Sequence, residues 1–267
     1  MCQHRRMSTR LDRSGYRLDF EERFDGPVVS EERWVDHYLP QWTTPDRSAA
    51  RYDVTAEGLV LRIDQDQPAW RVGDGELRVS NLQTGSFSGP AGSGEGQHRH
   101  RPGLTVESPQ PERRLYTPTA GLVEAEMRAT DDPSCMLAFW LIGFEEWPDD
   151  SGELCVAELF GEAVGPPARV NVGVKAHHDP RLTDDMATVA LELDGTEWHS
   201  YAVAWSRDQS RFYVDDQLVR SCDQGMAYPM QLMVDLFEFP PSGQRDPAAY
   251  PKLGWVRSVR GWSREPG

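Results

Sequence analysis

Along most of this chain, apolar and polar positions alternate with a period of two in short blocks, the period of half-buried β-strands. The blocks run Gly58 to Ile63, Glu76 to Ser80, Gly121 to Met127, Cys135 to Ile142 and Glu153 to Phe160, then Arg169 to His177, Ala187 to Leu193, His199 to Trp205, Arg211 to Val214, Met230 to Phe237 and Gly254 to Val259. Turn formers separate them, including Asp74-Gly75, the run Pro148 to Gly152, Asp194-Gly195 and Asp215-Asp216. No segment carries a sustained helical stripe, and no internal repeat suggests a propeller or solenoid. The pattern predicts an all-β fold, a sandwich or jelly roll. The longest irregular stretch, Gln83 to Pro111, reads as a wall of a binding cleft, because so long a loop in a compact domain is usually functional or disordered.

Composition narrows the function classes. At 267 residues, with 38% hydrophobic and 27% charged positions, the chain can build a sizeable core. One sandwich domain over 18–264 is expected, with residues 1–17 loosely attached or disordered. A formal charge of −15 repels phosphate backbones and anionic headgroups, so neither nucleic acid nor membrane is an expected partner. A neutral polysaccharide or oligosaccharide fits better, and nine Trp and eight Tyr offer flat faces that can stack on sugar rings. A monomer is expected. Cys2, Cys135, Cys155 and Cys222 show no C-x-x-C spacing, and free thiols are the default. The first twenty residues lack the apolar run of a secretory signal, and no later run is long enough to span a membrane. As written, the sequence is cytoplasmic; secretion would require non-standard export or a misassigned start.

The chemistry concentrates between Ala138 and Gly161. On a regular strand Glu153 and Cys155 share one face, Leu154 and Val156 the other, and Glu158 falls on the wrong side. One extra residue, a β-bulge around Val156-Ala157, restores Glu158 to the face of Glu153. The two α-carbons are then roughly 13 Å apart on the strand rise, a gap that two leaning Glu side chains can largely close. A carboxylate pair of this kind can cleave glycosidic bonds; equally, it can be no more than a solvated polar face.

The flanking residues resemble glycoside hydrolase family 16, the laminarinases, lichenases, agarases and related transglycosylases with a concanavalin-like jelly roll. The family's F-W-x-x-G strand is similar to Phe139-Trp140 to Gly143, its W-P-x-S-G-E approach to Trp147-Pro148 and Ser151-Gly152-Glu153, and its E-x-D-x-x-E signature to Glu153 through Glu158. Further likeness lies in Phe20 to Trp34, Tyr116 to Arg128, His199 to Trp205 with Phe212 to Asp215, and Gly254 to Arg257. The resemblance implies a retaining endo-glycosidase, with transglycosylation as a variant, acting on a β-linked polymer such as a β-1,3- or β-1,3/1,4-glucan. It makes Glu153 the nucleophile and Glu158 the general acid/base. Trp140 would floor the sugar site and Trp147 stack at a neighbouring subsite; a core role is the alternative for each. His177, on the face of its strand opposite Val170, Val172 and Val174 and shared with Asn171 and Lys175, is a candidate sugar contact. So is Asp235 on its later strand, unless it is structural.

Two departures stand out. Cys155 replaces the family's middle Asp, and a thiol is too weak a donor to supply that residue's hydrogen bond to the nucleophile. Gly254 stands where members often place a calcium-binding Asp, so a structural calcium is doubtful and no cofactor is required. No metal site is expected either: His178 and the run Gln97-His98-Arg99-His100 lack a matching third ligand and read as surface or capping residues. Three functions stay open: a glycosidase, a non-catalytic lectin-like module on the same fold, and a structural sandwich without a sugar site.

Overall fold

The computed structural model describes residues 9–240 and 244–265. Its strands, in chain order, are β1 (Tyr16–Glu22), β2 (Arg51–Thr55), β3 (Gly58–Ile63), β4 (Arg78–Gln83), β5 (Gly85–Ser86), β6 (Arg113–Arg114), β7 (Gly121–Arg128) and β8 (Cys135–Gly143). They continue as β9 (Glu153–Phe160), β10 (Ala168–Lys175), β11 (Asp185–Leu191), β12 (His199–Ser206), β13 (Gln209–Val214), β14 (Gln217–Cys222), β15 (Met230–Glu238) and β16 (Lys252–Arg264). One antiparallel sheet is ordered β14-β13-β12-β7-β16-β3-β2, with β1 also on β16, and a second β11-β10-β9-β8-β15-β4; β5 and β6 form a small ribbon. The chain is an all-β jelly-roll sandwich.

Periodicity explains how the second sheet carries a site. Along β8, Leu137, Phe139 and Leu141 join the core between the sheets, with Leu154, Val156 and Leu159 of β9 and Leu232, Val234 and Leu236 of β15. The alternate residues Met136, Ala138, Trp140 and Ile142 join a second cluster on the outer face, under Tyr38, Leu39, Trp42, Trp70, Leu104 and Val106. With both faces covered, β8 has no polar side chain anywhere along its length. The segments around Tyr38, Trp70 and Leu104 roof part of the outer face and leave a cleft beside it.

The sequence pattern misses β1, β2 and β14, and the two-residue strands β5 and β6. β2 and β14 are edge strands whose side chains are mostly half-exposed, so the contrast between their faces is weak. The loose N-terminal segment also needs correction. Residues 1–8 lie outside the described residues, but 9–17 are tied to the first sheet: Leu11 N–H donates to Asp216 O at 2.7 Å and Leu218 N–H to Thr9 O at 2.7 Å. Leu11 is buried among Leu122, Ala202, Tyr213 and Trp262, an anchor of one residue that periodicity cannot register. No helix among the described residues is long and apolar enough to cross a membrane.

Candidate active site

The expected bulge is present. β9 pairs β8 as Phe139 with Ala157 and Trp140 with Cys155, so Val156 is the extra residue. The same step appears against β10, where Glu158 faces Asn171, Cys155 faces Gly173 and Glu153 faces Lys175. Glu153, Cys155 and Glu158 therefore line up on the outer face, while Leu154, Val156, Ala157 and Leu159 enter the core. An oxygen of each glutamate and the Cys155 sulfur all lie within 4.8 Å of one another.

The loop into β9 is clamped before it reaches the first glutamate. Gly143 N–H donates to Gly152 O at 3.0 Å, and Gly152 N–H donates to the Tyr228 hydroxyl at 2.9 Å. Any side chain at Gly152 would collide, since a Cβ would stand 2.4 Å from Leu182 Cδ1.

Glu153 is 5% exposed and receives three donors. The Cys155 thiol donates to Oε1 at 2.7 Å, Lys175 Nζ to the same oxygen at 3.1 Å, and His177 Nε2, which must carry the proton to face a carboxylate, to Oε2 at 2.6 Å. Burial alone would push this carboxyl up; the His177 hydrogen bond and the Lys175 ammonium, helped by the thiol, outweigh it and hold the carboxyl down at about 2. Burial, and next the Glu153 charge, raise the Cys155 thiol well above its ordinary range, so it stays a neutral donor. Glu158 takes Lys175 Nζ on Oε1 at 2.8 Å and the Asn171 amide on Oε2 at 3.4 Å. Thr188 donates to Asn171 Oδ1 at 2.6 Å, which fixes the amide so that its NH₂ points to Glu158. Burial opposes the charge on Lys175, but the carboxylates of Glu153 and Glu158 keep its pKa above the ordinary lysine value.

These groups open on a cavity of about 190 Å³ lined by Tyr38, His98, Trp140, Lys175, His177 and Phe237 as well as the two glutamates. Trp140, 6% exposed, forms part of its wall. His98 comes from the stretch expected to wall the cleft. Its ring meets His177 edge-on at 5.0 Å between centroids and Trp140 at 5.9 Å, so it belongs to the cavity and is not a surface or capping residue. The local sequence gives no sign of this, because the contact partners lie about 40 and 80 positions away in the chain. His98, Glu145 and His177 all have left-handed backbone, with φ of 49°, 58° and 48°; such strain gathers where structure serves a site. Glu145 accepts the His98 N–H at 2.6 Å; its burial, only partly offset by that bond, raises its carboxyl to about 7.

Asp235 does not line the cavity. It has the expected phase, but Trp140 covers it and donates its indole N–H to Oδ2; Oδ1 has no hydrogen-bond partner among the described residues. Burial pushes this carboxyl well up, the indole hydrogen bond opposing and the Glu153 charge adding to the rise, so Asp235 is a neutral support beneath Trp140. Trp147 is 70% exposed on the loop before β9 and stands outside the cavity lining. Glu153, Cys155 and Glu158 offer ligand atoms close enough together to hold a metal ion, but the Lys175 ammonium rests on both glutamates of that group. A Cβ at Gly254 would stand 2.8 Å from Leu137 Cδ1, so this position faces the inside of the sandwich.

Comparison with known proteins agrees with this fold. Residues 113–239 match the sequence model of glycosyl hydrolases family 16. A curated relative, an endo-1,3-1,4-beta-glycanase of Rhizobium meliloti (strain 1021), is 30% identical over 124 residues, covering 45% of this chain and 25% of its own; the chain thus spans about a quarter of that protein's length. A GlcNAcα1-4Gal-releasing endo-β-galactosidase of Clostridium perfringens has the same fold, with TM-score 0.82 at 23% identity over 97% of this chain and 65% of that one. A non-specific endo-β-1,3(4)-glucanase described as a family 16 member matches with TM-score 0.67 at 18% identity, over 94% of this chain and 92% of its own. The motif resemblance and the family model thus agree across residues 113–239, the stretch that holds β8, β9, β10 and β15: this part of the chain is similar to glycoside hydrolase family 16.

Proposed function

We propose that this protein is an endo-acting glycosidase that cleaves a β-linked polysaccharide with retention of configuration. The observation that carries the reading is the approach of Glu153 and Glu158, oxygen to oxygen within 4.8 Å, on one face of a bulged strand beside Trp140. Carboxyl groups about 5 to 5.5 Å apart suit a retaining double displacement, whereas inverting enzymes keep about 6.5 to 9.5 Å to admit a water. Glu153, ionised and backed by His177, attacks the anomeric carbon as the C–O bond to the leaving sugar breaks; Glu158 gives that oxygen its proton. Glu158 then takes a proton from water, which cleaves the glycosyl ester and frees Glu153. A sugar hydroxyl in place of water gives transglycosylation.

In this reading Trp140 floors the subsite, His177 serves both Glu153 and the sugar, Asp235 steadies Trp140 from behind, and exposed Trp147 stacks on a more distant ring. The activity of the Rhizobium relative favours a β-1,3/1,4-glucan as substrate. A second reading, a carbohydrate-binding module without catalysis, is favoured by Cys155 and by the Lys175 ammonium resting on both glutamates.

The test is reducing-sugar release from β-1,3-glucan, β-1,3/1,4-glucan and galactan by the wild type, Glu153→Gln and Cys155→Asp, with product anomers followed by NMR. The wild type should release β-anomers first, and Glu153→Gln should lose on the order of a thousandfold or more. Wild-type silence on every polymer, with sugar binding by calorimetry and a gain of cleavage in Cys155→Asp, would establish the binding module instead.

A further inference from the structure

Resting on that reading of the site, we infer that Lys175 is a positioning residue that takes over the bridging role left open by Cys155, holding the two glutamates together and keeping the nucleophile Glu153 charged. The register supports this. Three positions of β10 face three of β9: Asn171 faces Glu158, Gly173 faces Cys155, and Lys175 faces Glu153. Gly173 places no side chain opposite Cys155, so the lysine stem has room to lean from Glu153 toward Glu158, and Nζ reaches Oε1 of each at 3.1 and 2.8 Å. The thiol alone links the pair poorly: it donates to Glu153 at 2.7 Å but stands 3.6 Å from Glu158, and sulfur is a weak donor. The ammonium is thus the one strong contact common to both carboxylates among the described residues.

Two consequences follow from charge. With Lys175 in contact, Glu153 favours the anion. Glu153 needs that state to attack. Glu158 needs the opposite state to protonate the leaving oxygen, so the lysine must draw back when a sugar fills the cavity. Its side chain is 34% exposed, at the open side of the pair, and free to do so. The other titratable groups facing the pair are His177 beyond the end of β10, His98 from the 83–111 stretch, Tyr38 over the outer face and Asp235 behind Trp140.

The experiment compares wild type, Lys175→Met and Lys175→Arg, following the pH dependence of kcat/KM and, independently of activity, the ¹³C carboxyl titrations of Glu153 and Glu158. Removing a cation in contact with a carboxylate should raise its pKa by about 1 unit or more. In Lys175→Met the Glu153 titration, and with it the acidic limb of the rate profile, should move to higher pH, and Lys175→Arg should leave both near the wild type. An unmoved Glu153 titration in Lys175→Met would overturn the inference, even if activity fell, because a merely structural lysine lowers rate without shifting that limb. Wild-type inactivity would sink the glycosidase reading alone, since the titrations still decide the role of Lys175.

Discussion

Glu153 is held by three donors of unequal strength, and the inequality predicts what each is worth. His177 and Lys175 make the contacts that overcome burial, while the thiol of Cys155 is the weakest of the three. Cys155→Ala should therefore cost kcat/KM about tenfold or less, the worth of one ordinary hydrogen bond of about 1 kcal/mol, and far less than Glu153→Gln. Steady-state kinetics on the best polymer decide it; a loss as large as that of Glu153→Gln would make the thiol indispensable. The residues that matter here were unequally visible in the sequence. Glu153, Glu158 and Trp140 are legible because a motif and a two-residue phase place them together. Lys175 is legible as to face but not as to role, since phase gives direction and not reach. Asp235 has the right phase yet ends beneath Trp140, because phase says nothing about a larger neighbour lying on top. His98 approaches from a distant loop.

At the scale of an element, β9 depends on one residue out of step. Val156 is extra relative to both β8 and β10, so removing it makes both ladders regular and leaves Glu153, Cys155 and Glu158 on the same face. Removing Leu154 instead keeps a mismatched ladder and turns Glu153 toward the core, where a charged group is costly. The Val156 deletion should fold cooperatively, with a loss of about 1 to 3 kcal/mol from the missing core side chain, while the Leu154 deletion should not fold. Thermal unfolding followed by circular dichroism separates the two; equal failure would mean that the bulge itself, and not facing, is required. The bulge is legible in the sequence only because two carboxylates and their apolar neighbours must both be satisfied. Edge strands β2 and β14 carry no such double constraint, which is why pattern alone passes over them.

At the scale of the whole molecule, the order of strands rests on pairings between distant segments, such as β1 with the far end of β16, that local alternation cannot specify. The same long-range packing buries carboxyls in opposite electrostatic settings, and these divide the pH axis. Glu153, held at about 2 by its partners, contributes stability that is present above the ordinary glutamate pKa of 4.5 and lost as pH falls through about 2. Glu145 is the reverse: buried, with its carboxyl raised to about 7, it contributes fully below 4.5, and that contribution drains away as pH rises through 7 and the buried group must ionise. The contributions of these two carboxyls are therefore both present near pH 4.5, between the two windows. Glu145→Gln tests the upper one, because the amide still offers an oxygen to the His98 N–H but carries no charge. Relative to wild type, the variant should be about equal in stability at pH 4.5 and progressively more stable toward pH 8, by about 3 kcal/mol for a shift of this size. Urea unfolding across that range gives the difference directly, and a gap that stays constant with pH would mean that Glu145 ionises over the same pH range in the folded protein as in the unfolded chain.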